Sequence, residues 1–328
     1  MTSMTCPIIT KEERLREYLD DLRGRGVKRI ALDMEGDQGM FHYRYSISIL
    51  QCFDGESAAI IDVLNMGVNG TLREFLTCQD IIKVMFSCGN DVFMAQNVLN
   101  CTIAPINDIA VAQKFLDLPI NLTNYLNIDK EQKDGFQRAN WLLRPIKPVL
   151  LEYAVNDVLK LLDIEEELAA RLVEKGLYDE YIASSRAASE KNFRANPHTL
   201  FQTKFPGYSR MPHEKKRRAA TIWIFRELLG EMLDCPVGYL LSKRSMVQAA
   251  HSDDDLAAAL EMELNYGRKS HKRLRMGLIS DLLEKASRSQ HIPRVPRAPQ
   301  RQVVKRRSFD DRQGGEGGSL ESQKASED

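Results

Sequence analysis

The chain lacks the features that would tie it to an oxidising compartment, a membrane or a zinc centre. Its six cysteines, Cys6, Cys52, Cys78, Cys88, Cys101 and Cys235, include no C-x-x-C pair, and several lie within apolar runs. That pattern argues against a disulfide framework or a zinc site and for a reduced, intracellular protein. The six histidines, His42, His198, His213, His251, His271 and His291, are scattered with no pair at metal-binding spacing. No apolar run approaches the roughly 18 residues that a membrane span needs. Met1 to Thr10 lacks the basic patch and apolar core of a signal peptide. A soluble, cytoplasmic, monomeric protein without a membrane partner is expected.

Net charge is also missing, with 46 basic against 46 acidic side chains in 328 residues. The balance hides an asymmetry: residues 1–200 carry 22 basic and 29 acidic groups, net −7, and residues 201–328 carry 24 and 17, net +7. An acidic first part beside a basic second part suggests a metal-loaded site next to a polyanion-binding region. The length points to two domains, and 43% hydrophobic residues supply real cores.

What is present centres on Arg29-Ile-Ala-Leu-Asp-Met-Glu-Gly36. The apolar run from Ile30 to Leu32 reads as a buried strand that ends on two acids one residue apart. Residues i and i+2 of a strand share a face, so Asp33 and Glu35 aim at one spot. Like charges so placed resist ionisation unless a cation joins them, and a divalent metal with hard oxygen ligands is the usual solution.

Around this segment the pattern predicts a helix after Thr10-Lys-Glu-Glu13, strands over 28–34, 45–53 and 57–63 with a hairpin turn at Asp54-Gly55, and a fourth buried strand over 81–86. Helices are expected from Thr71, from Asp91, over 108–116 and 121–127, as one long element from Val149 to Glu174, and over 178–193. The order implies an α/β fold around a mixed sheet. Two more candidate sites follow. Asp91 comes just beyond the fourth strand, as a ligand or a helix cap. Tyr153-Ala-Val-Asn-Asp157 places a phenol and a carboxylate one helical turn apart. Tyr153 could equally be a core aromatic, but Asp157 interrupts a leucine-rich face where an unpaired carboxylate is expensive.

Taken together, D-x-E on a strand, Asn90-Asp91 after the fourth strand and Y-x-x-x-D on a helix resemble the DEDDy group of 3′–5′ exonucleases, and within it ribonuclease D. The resemblance runs from about Lys28 to Leu168. It includes Ile49-Leu-Gln51, Phe53-Asp-Gly55, Asp108 and Trp141-Leu-Leu-Arg-Pro145. It implies the ribonuclease H-like exonuclease fold, with Asp33, Glu35, Asp91 and Asp157 as ligands of two divalent cations, Mg²⁺ or Mn²⁺. It also implies that Tyr153 orients the attacking water, that no small-molecule cofactor takes part, and that the substrate is an RNA 3′ end of the tRNA-precursor kind. Two departures touch the substrate-facing loop: residue 36, often aromatic in ribonuclease D, is Gly36, and Asp37-Gln-Gly-Met-Phe-His-Tyr-Arg44 is unlike the usual sequence. Asp37 reads as a loop acid and Asp108 as a helix cap. Lys133, Arg138 and Arg144 are candidate phosphate contacts.

Residues 195–212 are rich in Pro, Gly and polar groups and read as a linker after an exonuclease domain over 1–194. Residues 213–289 are helical in character, with an apolar stripe of Ile222, Phe225, Leu229, Met232 and Leu233. They resemble an HRDC domain, the small helical module shared by ribonuclease D and RecQ-type helicases. Its basic clusters, Lys215 to Arg218 and Arg268 to Arg275, suit sequence-independent contact with phosphates. Residues 290–328, which include Lys305-Arg-Arg307, are expected to be disordered. Two rival readings stay open: an exonuclease acting on DNA, since metal ligands do not distinguish sugars, and a nucleic-acid-binding adaptor without catalysis.

Overall fold

A computed structural model describes residues 6–122, 125, 135–193, 201, 204–264 and 276–288. Ile30, Ala31 and Leu32 have no exposed surface, as a strand covered on both faces requires. They belong to β2 (Arg29–Asp37), which runs antiparallel to β3 (Ser46–Phe53) and parallel to β5 (Ile82–Met85). β3 in turn pairs antiparallel with β4 (Ala58–Asp62). Two short strands complete a six-stranded mixed sheet of order β1-β4-β3-β2-β5-β6. These are β1 (Ile8–Ile9), parallel to β4, and β6 (Ile106–Asp108), parallel to β5. At two and three residues they are too short to show any alternation, so the sequence pattern missed them.

The alternation of β2 decides what lies on each face. Ile30 and Leu32 pack with Leu15, Leu19 and Leu22 of α1 (Glu12–Gly24) and with Leu72 and Phe75 of α3 (Gly70–Thr77); α2 is the short Val63–Met66. Ala31 and Val84 pack on the other face with α5 (Ile109–Phe115), Val158 of α6 (Pro148–Leu159) and α7 (Leu161–Glu174). Asp33 and Glu35 share the parity of Ala31. α4 (Gly89–Met94) follows β5, and α8 (Tyr178–Glu190) closes this part of the chain.

The expected single helix over 149–174 is two helices, broken at Lys160. Neither Gly nor Pro marks the break, and leucines continue through it, so local pattern carried no signal. The break lets α6 cover Ile49 and Ile60 while α7 crosses Ala31 and Val84.

From Phe201 onward a second core forms. Ile222, Trp223, Phe225 and Leu229 of α9 (His213–Leu233) pack with Leu240 of α10 (Val237–Leu240), Met246 and Ala249 of α11 (Lys243–His251), Leu260 of α12 (Leu256–Glu263) and Ile279 of α13 (Met276–Arg288). Met232, expected in the apolar stripe, is exposed. Phe201, Phe205 and Met211, within the segment read as a linker, are buried in this helical core. The expected helix over 121–127 falls mostly, and the 290–328 tail wholly, outside the described residues. All six cysteines are free thiols. Among the described residues no helix is long and apolar enough to cross a membrane.

Lys83 on β5 has no exposed surface, and its ammonium donates to the carbonyls of Cys78 (2.7 Å) and Ala104 (2.9 Å). Burial pulls its pKa down to about 8, against a smaller opposing pull from Cys78 and Asp80. Between about pH 8 and 10.5 the unfolded chain therefore holds a proton that the folded chain has released, so folding stability from this site rises with pH. The melting temperature of the unsubstituted chain should gain on that of Lys83→Met across this window. The gain corresponds to a difference on the order of 3 kcal/mol. A flat difference from pH 7 to 10 would contradict it.

Candidate active site

Asp33 and Glu35 lie on β2 before a bulge between Glu35 and Gly36. The bulge brings the backbone so near β3 that a Cβ at Gly36 would stand 2.1 Å from the Ser46 carbonyl oxygen. That approach excludes any side chain here, which accounts for a glycine at this position. Asp157 arrives from α6, which starts on Pro148 at its first position, a favoured place for proline. Carboxylate oxygens of Asp33, Glu35 and Asp157 all lie within 4.8 Å of one another.

Asp91 sits in the first turn of α4, whose N-cap is Cys88, so it is not the cap. Its carboxyl is buried, and burial together with the Asp33 charge holds its pKa well above the usual carboxylate range. It lines the same cavity as the other three acids but stands outside the tight oxygen cluster. Two residues position these acids. Gln51, the direct cross-strand partner of Asp33, is fully buried and donates to Asp33 Oδ2 at 3.0 Å. Asp108, the N-cap of α5, also accepts the backbone N–H groups of Ser87 (2.7 Å) and Cys88 (3.1 Å). Ser87 has φ 57°, and this clamp fixes the left-handed turn from which α4 and Asp91 start. In the sequence Gln51 is marked as a lone amide in an apolar strand, and Asp108 adds the Ser87 and Cys88 contacts to the helix capping expected of it.

Tyr153 is buried, with its ring 4.8 Å from Phe136 and 6.3 Å from Trp141. Its hydroxyl is hydrogen-bonded to Asp157. Burial, then the charges of Asp157, Glu35 and Asp33, push its pKa up, which favours the neutral phenol. Removing the hydroxyl alone, Tyr153→Phe, should lower turnover about 10²-fold through lost positioning, with the melting temperature nearly unchanged. A variant with full turnover would contradict this role.

The cavity encloses about 720 Å³. Four acids line it, and no Lys, Arg or His is among its described lining residues. Clustered hard oxygens without a protein cation fit a divalent metal.

The basic candidates fare differently. Arg144 is not free for phosphate: it forms a bidentate pair with Asp62 (2.7 and 3.0 Å) and donates to the Trp141 carbonyl and to Ser48. Lys215 donates to the carbonyls of His251 and Ser252 and pairs with Asp253, Arg218 donates to the Ala249 carbonyl, and Lys216 lies over the Tyr208 ring. These groups staple the helical core, and of this cluster Arg217 is the exposed member. Arg138 is exposed. Lys133 and the Arg268–Arg275 cluster lie outside the described residues.

Comparison with known proteins gives a consistent family. A 3′–5′ exonuclease domain family matches residues 6–173. Ribonuclease D of Xanthomonas oryzae pv. oryzae is 31% identical over 164 residues, covering 48% of this chain and 45% of that protein. The exosome complex exonuclease RRP6 of Saccharomyces cerevisiae is 23% identical over 297 residues, covering 84% of this chain and 40% of that protein. The chain thus spans less than half the length of these curated relatives. The crystal structure of Escherichia coli RNase D shares the fold, with TM-score 0.70 and 21% identity over 87% of this chain and 76% of that one. The catalytic core of RRP6 from Trypanosoma brucei does likewise, with TM-score 0.70 and 18% identity over 87% and 81%.

Proposed function

Because the chain belongs to the 3′–5′ exonuclease family, we propose that its acidic cavity hydrolyses the terminal phosphodiester at an RNA 3′ end and releases nucleoside 5′-monophosphates. Asp33, Glu35, Asp91 and Asp157 hold two divalent cations, Mg²⁺ or Mn²⁺, in this reading. The observation that carries it is the convergence of three carboxylates from two remote segments within 4.8 Å, in a cavity with a fourth acid and no cation among its described lining residues. Bound there, divalent cations polarise the scissile phosphate and lower the pKa of the attacking water.

The protein's own groups do the rest. Gln51 fixes the orientation of the Asp33 carboxylate. Asp91 must give up a proton that burial and Asp33 make it keep, so loading of the site by a cation is favoured as pH rises. Tyr153, a neutral phenol anchored on Asp157, has a hydroxyl suited to holding the attacking water in line. RNA is favoured as substrate by the relatives: several are named ribonuclease D, and the Escherichia coli protein is described as an exoribonuclease involved in structured RNA processing. The helical unit takes the role of an HRDC-like module.

The test is single-nucleotide release from matched 3′-labelled RNA and DNA, each with Mn²⁺ and with EDTA. Mn²⁺-dependent stepwise release from RNA is expected. Preference for DNA would move the substrate class, and binding without release from either would establish an adaptor.

A further inference from the structure

Residues 38–45 join β2 to β3, and the two sides of this loop face different parts of the molecule. Asp37 is buried, and its carboxylate accepts the backbone N–H groups of Met40 (2.7 Å), Phe41 (3.2 Å) and His42 (2.8 Å). This curl presents Gln38, Met40 and Phe41 to the cavity that holds the acids. The next three residues turn the other way, onto α9. Tyr43 is buried, and its hydroxyl donates to Glu227 at 3.1 Å. Its ring lies so close to Gly230 that a Cβ there would come within 2.9 Å. Asp234, the C-cap of α9, accepts the Tyr43 N–H on one oxygen (3.2 Å) and meets His42 Nδ1 with the other (2.8 Å). Arg44 donates to Glu231 at 2.7 Å. Glu227, Glu231 and Asp234 are spaced i, i+4, i+7, one stripe of the helix.

We propose that the helical unit is a working part of the active site. Through this clasp it holds Met40 and Phe41 as the cavity wall against which the 3′-terminal nucleotides lie, with Tyr43 and Asp234 as positioning residues. The inference rests on reading the acidic cavity as the exonuclease site. An exposed Met beside a half-buried Phe offers flat apolar surface on which any base stacks, whatever the sequence. Fixing that wall in advance spares substrate binding the cost of ordering it. The acids and Tyr153 are held by the sheet, α4 and α6 instead, so loosening the clasp weakens substrate engagement and leaves the bond-breaking step alone.

The test uses the full chain with two substitutions at one position. Asp234 has φ 45°, which glycine adopts without strain and asparagine tolerates. Asp234→Gly therefore removes both acceptors at no backbone cost, whereas Asp234→Asn keeps an oxygen to accept the Tyr43 N–H and turns an amide NH2 to His42 Nδ1. In Asp234→Gly, hydrogen exchange of the Met40, Phe41 and His42 amides should quicken about tenfold. KM for single-stranded RNA should rise about tenfold with kcat within about twofold, and Asp234→Asn should restore both. Should Asp234→Gly not fold, Tyr43→Phe, which loses only the bond to Glu227, should give a smaller KM rise of about threefold. Normal cleavage by the unsubstituted chain with an unmoved KM in the variants overturns this inference alone. Absence of cleavage by the unsubstituted chain overturns the nuclease reading and this inference with it.

Discussion

Replacing Asp157 by Asn should cut metal-dependent release of nucleotides from an RNA 3′ end by about a thousandfold or more while leaving the fold intact. Asn keeps the shape of the side chain, so packing on α6 is unchanged. It removes one of three carboxylates whose oxygens cluster within 4.8 Å, and a neutral amide is a poor ligand for a hard divalent ion. Charge neutralisation at a transferring phosphoryl group supplies several kcal/mol, and about 4 kcal/mol is three decades of rate. Without metal the same substitution relieves like-charge repulsion, so the melting temperature in EDTA should not fall and is expected to rise. Nucleotide release in Mn²⁺ and calorimetry in EDTA read the two effects separately. Full cleavage by Asp157→Asn would contradict the ligand assignment.

Replacing Arg144 by Met should be the most destabilising single change near the site. The Arg144 and Asp62 side chains are only 10% and 4% exposed, so Met leaves a buried carboxylate without its cation. Breaking a buried pair in this way costs about 3–5 kcal/mol, which for a domain of this size lowers the melting temperature by roughly 10 °C. Arg144 also ties the Trp141 carbonyl and Ser48 of β3 together just ahead of α6. Activity should therefore fall even below the melting point, as α6 and with it Tyr153 and Asp157 lose their anchor. A melting temperature within 2 °C of the unsubstituted chain, read by thermal unfolding, would contradict this role.

The contrast between Asp157 and Arg144 shows where sequence was informative. Asp33, Glu35, Tyr153 and Asp157 were legible because each sits in a short motif whose period, two in a strand and four in a helix, brings its members together. Arg144 looked like a phosphate contact because its carboxylate partner lies 82 residues earlier. Lys215 and Arg218 looked like a nucleic-acid face, but a charge on a helix does not say whether it turns inward, and both bind carbonyls of the neighbouring helical segment. The loop after Gly36 was the least legible part. Asp37 curls its first half locally, but its second half is held by Glu227, Glu231 and Asp234, more than 180 residues away, and no local pattern encodes a contact of that range.

Anomalous scattering from crystals of the full chain equilibrated with Mn²⁺ reads the proposed metal site itself. Density is expected among the carboxylates of Asp33, Glu35 and Asp157, lost in Asp157→Asn. Ordered Mn²⁺ elsewhere on the protein with none at this cluster would contradict it.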